Sequence, residues 1–344
     1  LALFGPLALG PARWIWRWKQ RIDRAFMARF ATLQPMAAAA MACRGCAAKL
    51  GAAPLKAALA RLDPDGQPPA VEDAALVGTG ADGALLLQSV DGFPALVEDP
   101  WLNGRLTTLH ACSDLWASGA AVASVQALVT VPEAATAIQE ELLLQTLAGV
   151  RSVLEPLGAA LIGGHTLEGR DGAGLALALT VNGRVAQAPW GKGPLHPGDA
   201  LLLSRPLGTG VLFAAAMAGA AAPEWMEAVL TAMQHSQAPL VPLLAAHGCS
   251  ACTDVTGFGL LGHLGEMLAA SGAELAVELD AAAIPAYSGA LELLERGFAS
   301  SLAPANAAAL ALLQGPVRLV GAAGPAAPAA LAGLLIDPQT CGPL

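Results

Sequence analysis

Residues 71 to 91, VEDAALVGTGADGALLLQSVD, constrain the fold most. They read as two β-strands joined by the glycine-rich turn GTGADG, with Asp91 ending the second strand. The segments that follow alternate in kind. NGRLTTLHACSDLWASGA has helical character and stops at Gly119, and AVASVQALVTV reads as a strand. A helix is expected from about Glu133 to Leu157. AALIGGHT then reads as a strand running into a Gly-Gly turn, and GLALALTVNGRV as a further strand. This order predicts an α/β (α+β) architecture. The Pro/Gly-rich stretch GKGPLHPGD, residues 191 to 199, marks a boundary. Beyond it ALLLSRPLGTGVL, alanine-rich helical segments and TDVTGFGLLGHLGEML, a loop entering a helix, form a second unit. The expected domains are therefore 1–41 as tail and linker, 42–190 and 191–344.

Residues 1 to 35 differ in composition from the rest. In RWIWRWKQRIDRAFMARF, Trp14, Trp18, Ile22, Phe26 and Phe30 make one apolar stripe at i+4 spacing, beside Arg13, Arg17, Arg21 and Arg24. The pattern predicts an amphipathic helix that rests on a membrane surface, docks on another domain, or packs on its own protein. LQPMAAAAMA, residues 33 to 42, reads as a linker. Both ends look cut: Leu1 is not an initiator, and DPQTCGPL stops within what reads as a strand and loop. A fragment of a longer chain is therefore expected, with its second unit incomplete. The apolar opening precedes the basic cluster, the reverse of a secretory signal. No run of about 18 apolar residues suggests a spanning helix. Six cysteines in 344 residues are too sparse for a disulfide scaffold, so reduced thiols and a cytoplasmic setting are expected.

A net charge of −9 argues against a broad nucleic-acid surface. An acidic protein can still bind a polyphosphate through divalent cations. Four aspartates suit that purpose: Asp73 before a strand, Asp91, Asp114 in the next helix, and Asp254 before TGFG. If they converge, their repulsion demands cations, and hard oxygen ligands suit Mg²⁺. Taken singly, each is better explained as a helix or turn cap, a reading that weakens for four in such contexts. Gly163, Gly164 and His165 in IGGHT, and the glycines of DVTGFGLLGH, offer backbone N–H groups to an anion. No G-x-x-x-x-G-K-[ST] motif is present. Two C-x-x-C pairs, Cys43/Cys46 and Cys249/Cys252, lie about two hundred residues apart, too far for a zinc ribbon. Cys46 stands three residues before Lys49, one of only four lysines. The ammonium would favour the thiolate and also contact phosphate oxygens. His110, His196, His235, His247 and His263 show no metal-ligand spacing and read as structural or exposed.

Together GCAAKL, EDAALV, SVDGF, EDPWLNGR, SDLWASGA, IGGHT, RPLGTGVL, TDVTGFGLLGHL and DPQT resemble the selenophosphate synthetase (selenide, water dikinase) family, in order, from about residue 43 onward. The resemblance implies the two-domain aminoimidazole ribonucleotide synthetase-like fold, with the first sheets of two chains forming a barrel at a homodimer interface. It implies the reaction of ATP, selenide and water to selenophosphate, AMP and orthophosphate, with Mg²⁺. It implies that Cys46 is the essential cysteine and Lys49 a nucleotide contact. Asp73, Asp114 and Asp254 would be metal ligands, and Asp91 and Asp114 would serve the nucleotide site with Gly163, Gly164 and His165. The chain departs from the family after DPQT, where Cys341, Gly342 and Pro343 replace a small residue and two glycines. The amino-terminal tail resembles the end of a fused FAD-dependent NADH dehydrogenase-like domain. Rival readings are a thiamine-monophosphate kinase or hydrogenase-maturation enzyme of the same fold, or an inactive membrane-docking fragment.

Overall fold

The structure is a computed structural model that describes residues 2–4, 7–9, 43–62, 72–170, 172–272, 274–321 and 328–344. The chain divides into two compact units, Leu1–Met41 and Ala42–Leu344. In the first, β1 (Ala2–Phe4) and β2 (Leu7–Leu9) pair antiparallel. The amphipathic stripe expected over residues 13–30, and most of the linker, lie outside the described residues.

The second unit opens with a short 3-10 turn, Gly45–Ala48, and helix α1 (Ala52–Leu62). A five-stranded sheet follows, built from β3 (Ala75–Thr79), β4 (Leu85–Pro94), β5 (Ala121–Val131), β6 (Ala160–Glu168) and β7 (Ala176–Val185). Its order is β3-β4-β7-β5-β6, antiparallel except for the β5–β6 pair. Two helices, α2 (Pro100–Ala117) and α3 (Thr136–Leu154), pack against each other and contact the sheet. Asp99 starts α2 by accepting a hydrogen bond from the Leu102 amide, with Pro100 at the first helical position. Gly119, at φ +73°, ends it. The two helices meet closely at glycine. A Cβ on Gly149 would stand 2.1 Å from the Trp101 carbonyl oxygen, and one on Gly104 would stand 2.3 Å from that of Thr146.

Strand alternation decides which side chains face these helices. Leu177, Leu179 and Val181 of β7 are fully buried. In β5 a bulge between Val122 and Ser124 resets the alternation, so that Val122, Val125, Ala127, Val129 and Val131 are buried. Asp91 does not end its strand. It lies inside β4 at the same parity as buried Leu87 and Phe93, and so belongs to the inward face. The opposite face is apolar and exposed, with Val90, Leu128, Ile162 and Leu167 in the open.

Gly163 and Gly164 form no turn. Both lie within β6, where Gly164 pairs with Ala127 and His165 with Leu128. A Cβ on Gly164 would fall 1.9 Å from the Ala127 carbonyl oxygen, so glycine lets the strand continue where a larger residue would push it away.

The rest of the unit holds α4 (Thr209–Met217), α5 (Pro223–Met233), α6 (Leu240–Ala246) and α7 (Gly259–Ser271). A parallel pair, β8 (Val277–Asp280) with β9 (Val317–Val320), and helices α8 (Ala290–Glu295), α9 (Ala303–Asn306) and α10 (Pro328–Leu335) complete it. The expected strand in DPQTCGPL is absent. Residues 336–344 are irregular and buried, and scattered backbone and side-chain partners rather than a ladder satisfy their polar groups. Gln339 Oε1 accepts the Gly208 and Thr209 amides at the start of α4, and Asp337 Oδ2 accepts that of Gly210.

Candidate active site

The 3-10 turn places Cys46 under residues 337–344. The Cys46 amide donates to Thr340 Oγ1 at 3.1 Å. The Cys46 sulfur lies 2.7 Å from His110 Nε2 on α2, and the same nitrogen lies 3.3 Å from Asp91 Oδ2 on β4. The other ring nitrogen, Nδ1, accepts the Cys341 amide at 3.1 Å. His110 is buried, as a structural histidine would be, and it also contacts Cys46 and Asp91, a placement that its lack of metal-ligand spacing did not suggest. The remaining histidines fit the structural or exposed reading: His196, His235 and His247 are exposed, and buried His263 accepts the Thr256 amide.

Charge in this group is balanced. Burial pushes the Cys46 thiol up, against the pull of His110 and Lys49. Burial also works against ionised Asp91, but His110, Lys49 and the Gly92 amide hold its carboxyl below the usual range. Lys49 sits 4.9 Å over the Phe258 ring. Partial burial opposes its charge, while Asp91, Cys46, Asp254 and Asp114 favour it and raise its proton affinity.

A second group gathers three carboxylates. Oxygens of Asp73, Asp114 and Asp254 lie within 4.8 Å of one another. Asp114 is one helical turn past His110, so α2 feeds both groups from one face. Ser113 donates to Asp254. Lys192 bonds Asp73 Oδ1 at 3.0 Å and Glu266 Oε2 at 2.7 Å. That single ammonium does not offset three acids. Burial first, then repulsion within the group, pushes Asp73 up to about 7 and raises Asp114, while burial and the nearby Asp91 charge raise Asp254. Three converging hard oxygens that repel one another fit a divalent cation such as Mg²⁺.

The structure thus brings together Cys46, Lys49, Asp91, Asp73, Asp114 and Asp254. It does not bring in Gly163, Gly164 and His165, which stand on exposed β6 with no described contact to the others. Sequence reasoning missed His110, Lys192, Glu266, Thr340 and Cys341. Only His110 left a signal, its i,i+4 spacing to Asp114. The cysteines are free, and Cys46 meets a histidine rather than the other cysteine of its C-x-x-C pair.

Two family profiles match: AIR synthase related protein, N-terminal domain, over residues 71–185, and its C-terminal domain over residues 196–323. A selenide, water dikinase of Geobacter metallireducens is 34% identical over 310 residues, covering 87% of this chain and 85% of the relative. One from Pelobacter propionicus is 35% identical over 309 residues, with 87% and 84% covered. Among solved structures, a protein of Thermus thermophilus superposes with a TM-score of 0.59 at 23% identity, over 84% of this chain and 83% of that one. The thiamine monophosphate kinase of Aquifex aeolicus gives 0.57 at 16% identity, over 71% and 78%. These two share the fold.

Proposed function

The chain belongs to the selenide, water dikinase family, of AIR synthase-like fold, and on that premise we propose how its residues divide the reaction. It is an ATP-dependent enzyme that converts selenide, ATP and water to selenophosphate, AMP and orthophosphate. The observation that carries the assignment of roles is the meeting of the Cys46 turn, Lys49 and Asp91 with the three-carboxylate group.

Asp73, Asp114 and Asp254 would hold Mg²⁺, which when bound screens the charge of the polyphosphate. Lys49 presents a point charge to phosphate oxygens from a short turn of small residues. Cys46 faces the acceptor, and Asp91 holds the histidine beside it. Cys46 and His110 are buried, which keeps bulk water away from the sulfur. Hydrolysis of the remaining diphosphate then requires one water retained near the acids.

The exposed apolar face of the sheet supports a homodimer in which two such sheets close into a barrel. That arrangement would give β6, with Gly163, Gly164 and His165, a nucleotide to meet. The tail before residue 42 fits a link to a fused oxidoreductase domain, and residues 13–30 a peripheral membrane contact. Vesicle co-sedimentation with and without residues 1–35 tests the latter. No helix among the described residues is long and apolar enough to cross a membrane.

Chromatography of the nucleotide products tests the function. Selenide-dependent AMP release is expected. ADP as the final nucleotide, formed without selenide, would favour a kinase of the same fold.

A further inference from the structure

His110 is fully buried, and the Cys46 sulfur lies 2.7 Å from its Nε2 and 4.0 Å from its Nδ1, so that Nε2 is the nitrogen within bonding reach of the sulfur. Nδ1 faces the Cys341 amide at 3.1 Å. Nε2 faces the Cys46 sulfur at 2.7 Å and Asp91 Oδ2 at 3.3 Å. The ring also packs at a tilt on Phe93, with centroids 5.4 Å apart. A backbone amide only donates, so Nδ1 is an acceptor and carries no hydrogen. A neutral imidazole has one N–H, which must then sit on Nε2. The surroundings of Nε2 suit a donor, because an ionised carboxylate and a sulfur both accept.

Electrostatics alone pulls the other way. Burial disfavours a charged ring, but ionised Cys46 and Asp91 favour one and together raise its proton affinity. The pull of Cys46 needs a thiolate, and burial keeps that sulfur a thiol. A second proton would also have to enter at Nδ1, setting one N–H against another. The hydrogen-bond geometry therefore decides for the neutral ring.

We propose that His110 is a positioning residue for the reaction, a fixed hydrogen-bond donor to Cys46 kept in its Nε2–H form by the Cys341 amide, and not the base that removes the cysteine's proton. A base needs a lone pair directed at the thiol, whereas the free lone pair of this ring points at the amide. Asp91 accepts from the same side and keeps the ring plane aligned. The role of the donor is to hold the sulfur in one orientation, and to favour negative charge on it without supplying a net positive charge. Residues 337–344 thereby act on the chemistry at one remove, because Cys341 contributes only its main chain. The inference rests on Cys46 serving the acceptor, but the form of the ring does not depend on the substrate.

Long-range proton–nitrogen correlation spectra of the full chain, labelled with ¹⁵N-histidine, read the ring directly. His110→Gln identifies the signal by its loss. The expected pattern is a neutral ring with hydrogen on Nε2, unchanged between about pH 6 and 8. A ring protonated on Nδ1, or doubly protonated in that range, overturns the proposal. Kinetics give the second arm. The amide of His110→Gln can donate but cannot act as a base, so it should keep kcat within about fivefold of the parent. His110→Leu should lose about 30-fold or more in kcat with KM for ATP unchanged. A Gln variant as impaired as the Leu variant overturns the proposal, since the ring would then be needed as a base. Should the Leu variant fail to fold, the spectra and the Gln variant still decide.

Discussion

The two acid-bearing groups of the site lie one helical turn apart on α2, yet their electrostatics are opposite. Around Cys46, a histidine donor, a lysine and an amide keep Asp91 ionised below its usual range. Around Asp73, Asp114 and Asp254, one lysine bonds directly to Asp73 while Lys49 acts only at longer range, and burial drives the three carboxylates toward their protonated forms. The first group is complete as it stands. The second has room for positive charge that the protein does not supply. Burial penalises charge in both, so the sign of the shift depends on the partners each carboxylate has been given.

The largest effect expected from breaking this contrast is on turnover. Asp254→Asn removes one of the three proposed cation ligands and should lower selenide-dependent AMP release by about a thousandfold or more. In the absence of metal the same change relieves repulsion and should raise the melting temperature by a few degrees, which calorimetry would show. A lower melting temperature would mean that the acids are already satisfied.

Cys46→Ser probes the other group. Selenophosphate formation should fall below about a hundredth of the parent rate while ATP binding survives. Undiminished synthesis would remove the cysteine from the mechanism.

Stability against pH separates the groups again. For Asp73, Asp114 and Asp254 the folded pKa lies above the unfolded value, with Asp73 at about 7. Between about pH 4 and 7 the folded form then binds more protons, so metal-free stability should fall as pH rises through this window. Asp91 has the opposite sign, and its contribution is lost as pH drops through its depressed pKa. Melting curves with Mg²⁺ should lose the downward slope; an equal slope with and without metal would show that no cation binds there.

Smallest is a packing effect that should leave the contrast intact. Gly149→Ala sets a methyl against the Trp101 carbonyl and should cost about 1–3 kcal/mol of stability. It should leave KM for ATP near the parent value. A large change in KM would mean that the spacing of α2 and α3 tunes the acids.

Legibility of the sequence followed how local the determining physics was. The β3–β4 hairpin, the end of α2 at Gly119 and the bounds of β5 each depend on glycine turns and on alternation a few residues long, and these are readable. The aspartates can be singled out because acids are conspicuous among Ala, Leu and Gly, and the fold brings Asp73, Asp114 and Asp254 together. His110 escapes such a reading because its partners, Cys46 and Cys341, lie far away in the chain. Gly163–Gly164 suggests a turn because a glycine pair is usually one, yet Gly164 is needed for close approach to Ala127. Asp91 looks like a strand end because the strand continues through Gly92, a residue that usually interrupts one. DPQTCGPL has strand-like composition only in part, and its polar side chains serve helix α4 instead.

The central claim is that a divalent cation completes the acid group before it can hold a triphosphate. Calorimetric titration of ATP into metal-free protein, with and without Mg²⁺, tests this most directly. Binding that appears only with Mg²⁺, and is lost in Asp254→Asn, is the predicted result. Equal binding of ATP without any divalent cation would contradict it.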